Sequence, residues 1–293
     1  MTRTDDSAGA PPPLPAVILD PIVRLALAED LGRAGDLTTD ATIAPGTQMA
    51  VVITARAEGR LAGLDAALHA LSLIDTSVVV SNLLEDGAAL SPGAPIVRLE
   101  GAARSILTAE RTMLNFIGRL SGIASLTARY VGAISGTGTK IVCTRKTTPG
   151  HRALEKRAVR CGGGTSHRYG LDDAILIKDN HIAACEGSIE TALARAAAYA
   201  GHLRMIELEV DTIDQLEQAL ASAHRPHAIL LDNMSPDQLR EAVGMVDGAC
   251  LTEASGGVTL ETVRAISETG VDYVSVGALT HSAPNLDVGM DVA

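Results

Sequence analysis

Lys140-Ile141-Val142-Cys143-Thr144-Arg145-Lys146 sets a pattern that the rest of the chain repeats: a short β-rich run, then charge at its carboxyl end. Five more such runs follow at 174–178, 205–210, 227–231, 249–253 and 272–276, with Ala- and Leu-rich helical stretches near 187–200, 212–221, 235–244 and 258–268. Strands alternating with helices of that length are βα units, whose crossovers make neighbouring strands parallel. The runs end in polar, charged or glycine residues: Arg145-Lys146, Lys178-Asp179-Asn180, Glu209 and Asp211, Asp232-Asn233, Glu253 with Ser255-Gly256-Gly257, and Gly277. In a barrel those ends converge on one face, whereas in an open doubly wound sheet only those beside a switch point meet. The chain therefore reads as α/β, with an irregular or incomplete parallel α/β barrel in its C-terminal part.

Upstream the grammar differs. Asp20-Pro21 predicts a helix start, an N-cap followed by proline at the first helical position, running to Gly32. Gly35 to Asp40 reads as a polar turn, and strands near 50–56, 77–84 and 94–99 surround a helix near 64–73. From Arg104 to Ile134 the apolar spacing is helical, in one long or two abutting pieces, and Gly118 and Gly122 within it permit a close approach. The expected division is a disordered leader over 1–15, an N-terminal α/β sandwich domain over 16–120, the barrel domain over 121–280, and a segment over 281–293 returning to the N-terminal domain.

The core must be aliphatic, since 46% of the 293 residues are hydrophobic yet there is no Trp and one Phe. A net charge of −11 argues against an extended surface for nucleic acid or anionic membrane. No run approaches a membrane span, and the four cysteines, without CxxC or metal-finger spacing, read as reduced thiols of a cytoplasmic protein.

Against that acidic background, the stretch from Lys140 to Lys178 holds nine Lys or Arg against three acids, which marks a focused anion site. Arg145, Lys146, His167, Arg168 and Lys178 combine planar forks, point charges and a titratable ring, enough to hold more than one anionic group. Lys156 and Arg157, on a helical run, read instead as a solvated basic face. Glu207 and Glu209 alternate with apolar neighbours and share one face. Glu209 and Asp232 offer oxygen ligands for sugar hydroxyls or magnesium, and Glu207 pairs with the basic cluster. Ser255-Gly256-Gly257 and Gly277 present bare amides suited to a phosphate. Two other classes compete. A Schiff-base lyase using Lys178 is disfavoured by the cations and Asp179 around it, and a non-catalytic anion-binding module has no need of the acids at 209 and 232.

Assembled, these residues resemble the quinolinate phosphoribosyltransferase family over about residues 17–290. The marks are Glu110 to Asn115, Thr144 to Gly150, Glu155 to Arg168, Leu176 to His181, Glu207 to Asp211, Leu230 to Asn233, Glu253 to Gly257 and Ser275 to Thr280. The resemblance implies transfer of the phosphoribosyl group of phosphoribosyl pyrophosphate to quinolinate with decarboxylation, giving nicotinate mononucleotide for NAD synthesis. It further implies a homo-oligomer, dimer or hexamer, with Arg145, Lys146, His167, Arg168 and the partner subunit's Arg111 binding quinolinate. Lys178, Glu209, Asp232, Ser255, Gly256, Gly257 and Gly277 would bind phosphoribosyl pyrophosphate, and Lys146, Lys178, Glu209 and Asp232 would be catalytic. Glu209 and Asp232 would hold Mg2+ directly or through water, with no organic cofactor. Two residues depart from the family pattern: Arg157 stands where Tyr is expected and Ser166 where Asn is expected, the latter bearing on the placement of His167.

Overall fold

A computed structural model describes residues 11–293. They form two units, one taking the chain as far as Ala128 together with 147–163 and 279–293, the other 129–146 and 164–278.

In the first unit, α1 (Ala16–Leu31) begins ahead of the expected Asp20-Pro21 start. Leu19, Val23 and Leu27 form one buried row along it, and burying that face outweighs the backbone hydrogen bond that Pro21 cannot donate. Asp20 is no cap; it accepts from Arg24 Nε at 2.7 Å and faces His69 Nε2 at 3.1 Å. The turn expected at 35–40 is largely a helix, α2 (Leu37–Thr42), because the Asp36 carboxylate accepts from Thr39 N at 2.9 Å and caps it. β1 (Gln48–Ala55), β2 (Gly59–Arg60), α3 (Leu64–Ile74), β3 (Val79–Asn82), β4 (Ala89–Leu90) and β5 (Pro95–Ala102) follow. β1 buries Val51, Ile53 and Ala55 by alternation and lies between β5 and the chain's last strand, β12 (Val288–Val292), in an antiparallel sheet of order β12-β1-β5-β3.

α4 (Ala103–Ala133) is one continuous helix, buried through Ile106, Met113, Ile117, Leu120 and Ile123. Its two central glycines serve a close approach. Leu286 N donates to Gly118 O at 2.9 Å, and a Cβ on Gly122 would lie 1.9 Å from Pro284 O. Between them, Arg119 donates to the carbonyls of Thr280 and Ala283 and to Glu155 Oε1 at 3.1 Å.

Beyond β6 (Lys140–Val142), α5 (Arg152–Cys161) also belongs to the first unit, and it corrects one expectation. Lys156 is 4% exposed and the Arg157 side chain 9%, so neither forms a solvated face. Ala153, Leu154, Ala158, Val159 and Cys161 are buried around them, which leaves the helix little open surface and takes its charges inward with partners. Arg157 donates to Asp86, which also accepts from Gly63 N and Leu64 N at the start of α3, and to the carbonyls of Pro11 and Pro12. Those prolines belong to the described part of the expected leader, 11–15; residues 1–10 lie outside the described residues.

The second unit runs through β7 (Ile175–Ile177), α6 (Asp179–Ala184), α7 (Ile189–Tyr199), β8 (Ile206–Val210), α8 (Ile213–Ala221), β9 (Ala228–Asp232), α9 (Pro236–Val246), β10 (Leu251–Ser255), α10 (Val263–Ser267) and β11 (Tyr273–Ser275), and α11 (Ala278–His281) begins at its end. With β6 these strands make a parallel sheet of order β6-β11-β10-β9-β8-β7. Among the described residues β6 and β7 do not pair, so the barrel is incomplete. The crossover helices start where sequence chemistry places them: Ser188, Thr212 and Ser235 each accept from the backbone N–H three residues on. Leu208, Val210, Ile229, Leu231, Ala254 and Val274 bury one face of the sheet, leaving the alternate positions for the other.

Candidate active site

Those alternate positions build a cavity of about 420 Å³ at the carboxyl ends of the strands. Across the sheet from β7 to β6, its lining places Lys178 just after β7, Glu209 on β8, Asp232 at the end of β9, Glu253 and Ser255 on β10, Ser275 at the end of β11, and Arg145 with Lys146 beyond β6. His167 and Arg168 join them from the connection between β6 and β7. Thr165 sets their position through a parallel bridge to Val142, its N–H donating to Ile141 O at 2.8 Å.

Lys178 is ion-paired with Glu209 and caps α6. Its backbone N–H donates to His181 Nδ1 at 3.0 Å and its carbonyl accepts from His181 N at 2.8 Å, so the Lys-Asp-Asn-His run fixes the lysine's backbone. Arg168 Nη1 donates to Ala174 O at 2.9 Å, while its buried Nε has no hydrogen-bond partner. Burial, then the charge of Arg145, pushes the Arg168 guanidinium below its ordinary value. Two cations are thus held close together, an arrangement that an anion would relieve. The His167 ring is held by Glu207, with Nε2 and Oε2 2.9 Å apart, and this contact does not involve the departing Ser166.

Asp232 Oδ2 accepts from Asn233 Nδ2 at 2.6 Å. Asn233 has φ 54° and Gly256 has φ 90°, and a Cβ on Gly256 would meet Asn233 Oδ1 at 2.1 Å, so glycine is required there for backbone and for space. Gly256, Gly257 and Gly277 do not line the cavity, although they follow β10 and β11 in the chain. Arg111 is exposed on α4 in the first unit.

Glu253 went unrecognised as a site residue. Ending the run at 253 hid the alternation that puts Glu253 and Ser255 on one face, since β10 continues to Ser255. Burial, followed by the charge of Glu207, pushes its carboxyl up to about 7, with His167 and Ser275 pulling the other way. Thr144 and Ser275 line the cavity as well.

The cations can hold carboxylate and phosphate groups together. Glu209 and Asp232, on adjacent strands, supply an oxygen-only donor set of the kind Mg2+ takes. Among the described residues, no helix is long and apolar enough to cross a membrane.

Comparison with known proteins agrees with this geometry. Residues 36–121 match the N-terminal domain of quinolinate phosphoribosyl transferase and residues 123–291 its C-terminal domain. The nicotinate-nucleotide pyrophosphorylase (carboxylating) of Mycobacterium leprae is 47% identical over 275 residues, covering 92% of this chain and 95% of that protein. The probable enzyme of the same name from Bacillus subtilis is 46% identical, covering 90% of each. The solved structure of nicotinate-nucleotide pyrophosphorylase from Francisella tularensis matches with a TM-score of 0.89 at 39% identity, over 96% of this chain and 98% of that one. With both domains matched and the strand-end cavity in place, the chain belongs to the quinolinate phosphoribosyl transferase family.

Proposed function

We propose that this chain transfers the phosphoribosyl group of phosphoribosyl pyrophosphate to quinolinate with decarboxylation, giving nicotinate mononucleotide, pyrophosphate and carbon dioxide, as a cytoplasmic step of NAD synthesis. The supporting observation is the cavity itself, which gathers Arg145, Lys146, His167, Arg168 and Lys178 around two strand-borne carboxylates, Glu209 and Asp232.

Arg145, Arg168 and His167, with Lys146, take the two quinolinate carboxylates, orienting the pyridine nitrogen toward C1 of the ribose. As the C1–oxygen bond breaks, positive charge grows on the ribose and negative charge on the departing pyrophosphate. Glu209 and Asp232 hold the ribose hydroxyls and face the first charge; Lys178 and Lys146 meet the second. The same two carboxylates would hold Mg2+ directly or through water, and the ion when bound supplies further countercharge to the diphosphate. Ser255, Gly256, Gly257 and Gly277 receive the 5-phosphate. Once ribosylated, the positively charged pyridinium nitrogen stabilises the electron pair left on C2 when the C2–carboxylate bond breaks and carbon dioxide departs, and a proton from solvent then takes that pair to form the C2–H of the product, so no organic cofactor is needed. Lys178, ion-paired and 43% exposed, lacks the apolar setting that a Schiff-base lysine requires.

Arg111, exposed on α4, serves the cavity of a neighbouring copy in a homo-oligomer. Mixing Arg111→Ala with Lys178→Ala chains then restores part of the activity through hybrid sites; no recovery after proven subunit exchange removes the shared site. The function itself is tested by carbon dioxide release from quinolinate in the presence of phosphoribosyl pyrophosphate and Mg2+. Release that depends on all three supports it, and a folded protein that releases none refutes it.

A further inference from the structure

One cluster in the second unit joins His167, which takes a substrate carboxylate in the steps above, to two acids that have no part in them. His167, Glu207 and Glu253 bring one nitrogen and two carboxylate oxygens within 4.8 Å of one another. His167 Nε2 lies 2.9 Å from Glu207 Oε2 and 3.7 Å from Glu253 Oε1, with the three side chains 8–12% exposed. His167 and Glu253 line the cavity, and Glu207 does not.

Two buried carboxylates facing one ring are costly unless a positive charge stands between them. A neutral imidazole would leave the charge of Glu207 without a counterion at hydrogen-bond distance. Lys178 is ion-paired with Glu209, two residues along the same strand, and Arg168 donates to Ala174 O. Arg168 and Arg145, the other cations lining this part of the cavity, lie near enough for their charges to influence each other, and Glu207 and Asp173 act on Arg168 in the opposite sense.

We infer that Glu207 and Glu253 are positioning residues that hold the His167 ring in a fixed orientation and in its positively charged form, so that it meets a substrate carboxylate as a permanent cation. This rests on quinolinate being the substrate. The charges within the cluster agree with it: burial and the charge of Glu207 push Glu253 up to about 7, so near neutral pH that acid is partly protonated and the ring faces less than two full negative charges. The partner of His167 is therefore chosen by β8 and β10, and the two acids of β8 divide their work, Glu207 to the ring and Glu209 to the cavity.

The test uses the full chain and its Glu207→Gln, Glu253→Gln, His167→Ala and Glu207→Gln/His167→Ala variants, with quinolinate affinity by calorimetry and KM and kcat for both substrates. Glu207→Gln should weaken quinolinate about tenfold, the scale of a lost charge-assisted hydrogen bond, with a much smaller change in the KM for phosphoribosyl pyrophosphate. In the His167→Ala background the same substitution should cost less than about twofold, because a residue acting through the ring has nothing left to act on. Equal losses in both backgrounds, or equal rises in KM for both substrates, overturn the inference; so does a transition metal bound one per chain and lost in Glu253→Gln. Should Glu207→Gln fail to fold, Glu253→Gln and its double variant with His167→Ala decide by the same criterion. A folded wild type that neither binds nor turns over quinolinate overturns the proposed function as well. An active wild type with additive variants overturns the positioning role alone.

Discussion

Arg157 and Arg168 come from one basic stretch of sequence, and the fold gives them opposite work. In the first unit, Arg157 is fully matched: Nε, Nη1 and Nη2 each find an acceptor in Pro12, Asp86 and Pro11. Burial works against its charge, but the hydrogen bond to Asp86 and the charges of Asp65 and Asp86 raise the guanidinium above its ordinary value. In the second unit, Arg168 is left short, with Nε unpartnered and burial and Arg145 both lowering it. A cation whose donors are all taken by its own chain holds structure, whereas one kept short of acceptors is available to a ligand.

The comparison breaks most readily at Arg157. Arg157→Ala leaves Asp86 buried without its countercharge and should cost about 3–5 kcal/mol of unfolding free energy, read from urea denaturation. A loss below about 1 kcal/mol would show that Arg157 is a surface charge after all. Lys178→Ala tests the other side: turnover should fall about 100-fold, as for removal of one preorganised transition-state charge, while quinolinate affinity changes little. If affinity falls as far as turnover, Lys178 binds ground state and transition state alike.

Glu253 gives a pH signature. Its folded-state value of about 7 stands above its ordinary 4.5, so the folded chain binds an extra proton between the two. That contribution to stability is fully present below about pH 4.5 and is lost as pH rises through 7. Glu253→Gln should therefore flatten the decline in stability between pH 5 and about pH 8, and parallel curves for the two proteins would remove the acid from the cluster's energetics. The smallest effect belongs to an exposed pair. Arg56 and Asp291 are about half exposed, at 47% and 52%, and Arg56→Ala should cost no more than about 1 kcal/mol, screened further by salt.

The alternation of strands and helices was legible in the chain. The six parallel strands, the crossover helices starting at Ser188, Thr212 and Ser235, and the charged strand ends follow from local rules that the tertiary structure does not override. What failed was whatever depended on a distant partner. Asp20-Pro21 satisfies the local rule for a helix start, but the buried row through Leu19 extends α1 past it. Lys156 and Arg157 look solvated until the burial of α5 is known, and the acceptors of Arg157 lie far back in the chain at Pro11, Pro12 and Asp86. In the cavity, Arg145, Lys146, His167, Arg168, Lys178, Glu209, Asp232 and Ser255 were identifiable from type and position. Glu253 was hidden by a strand ended too early, whereas the pairing of Glu207 with the basic cluster was legible and only its particular partner, His167, 40 residues back, was not.

The most direct test of the division between matched and unmatched cations is calorimetric titration of quinolinate into wild type, Arg168→Ala and Arg157→Ala, each first shown to be folded. Arg168→Ala should weaken quinolinate about 10- to 100-fold, while any folded Arg157→Ala should bind it within about threefold of wild type. Wild-type affinity in Arg168→Ala, or an equal loss in both variants, would contradict the account.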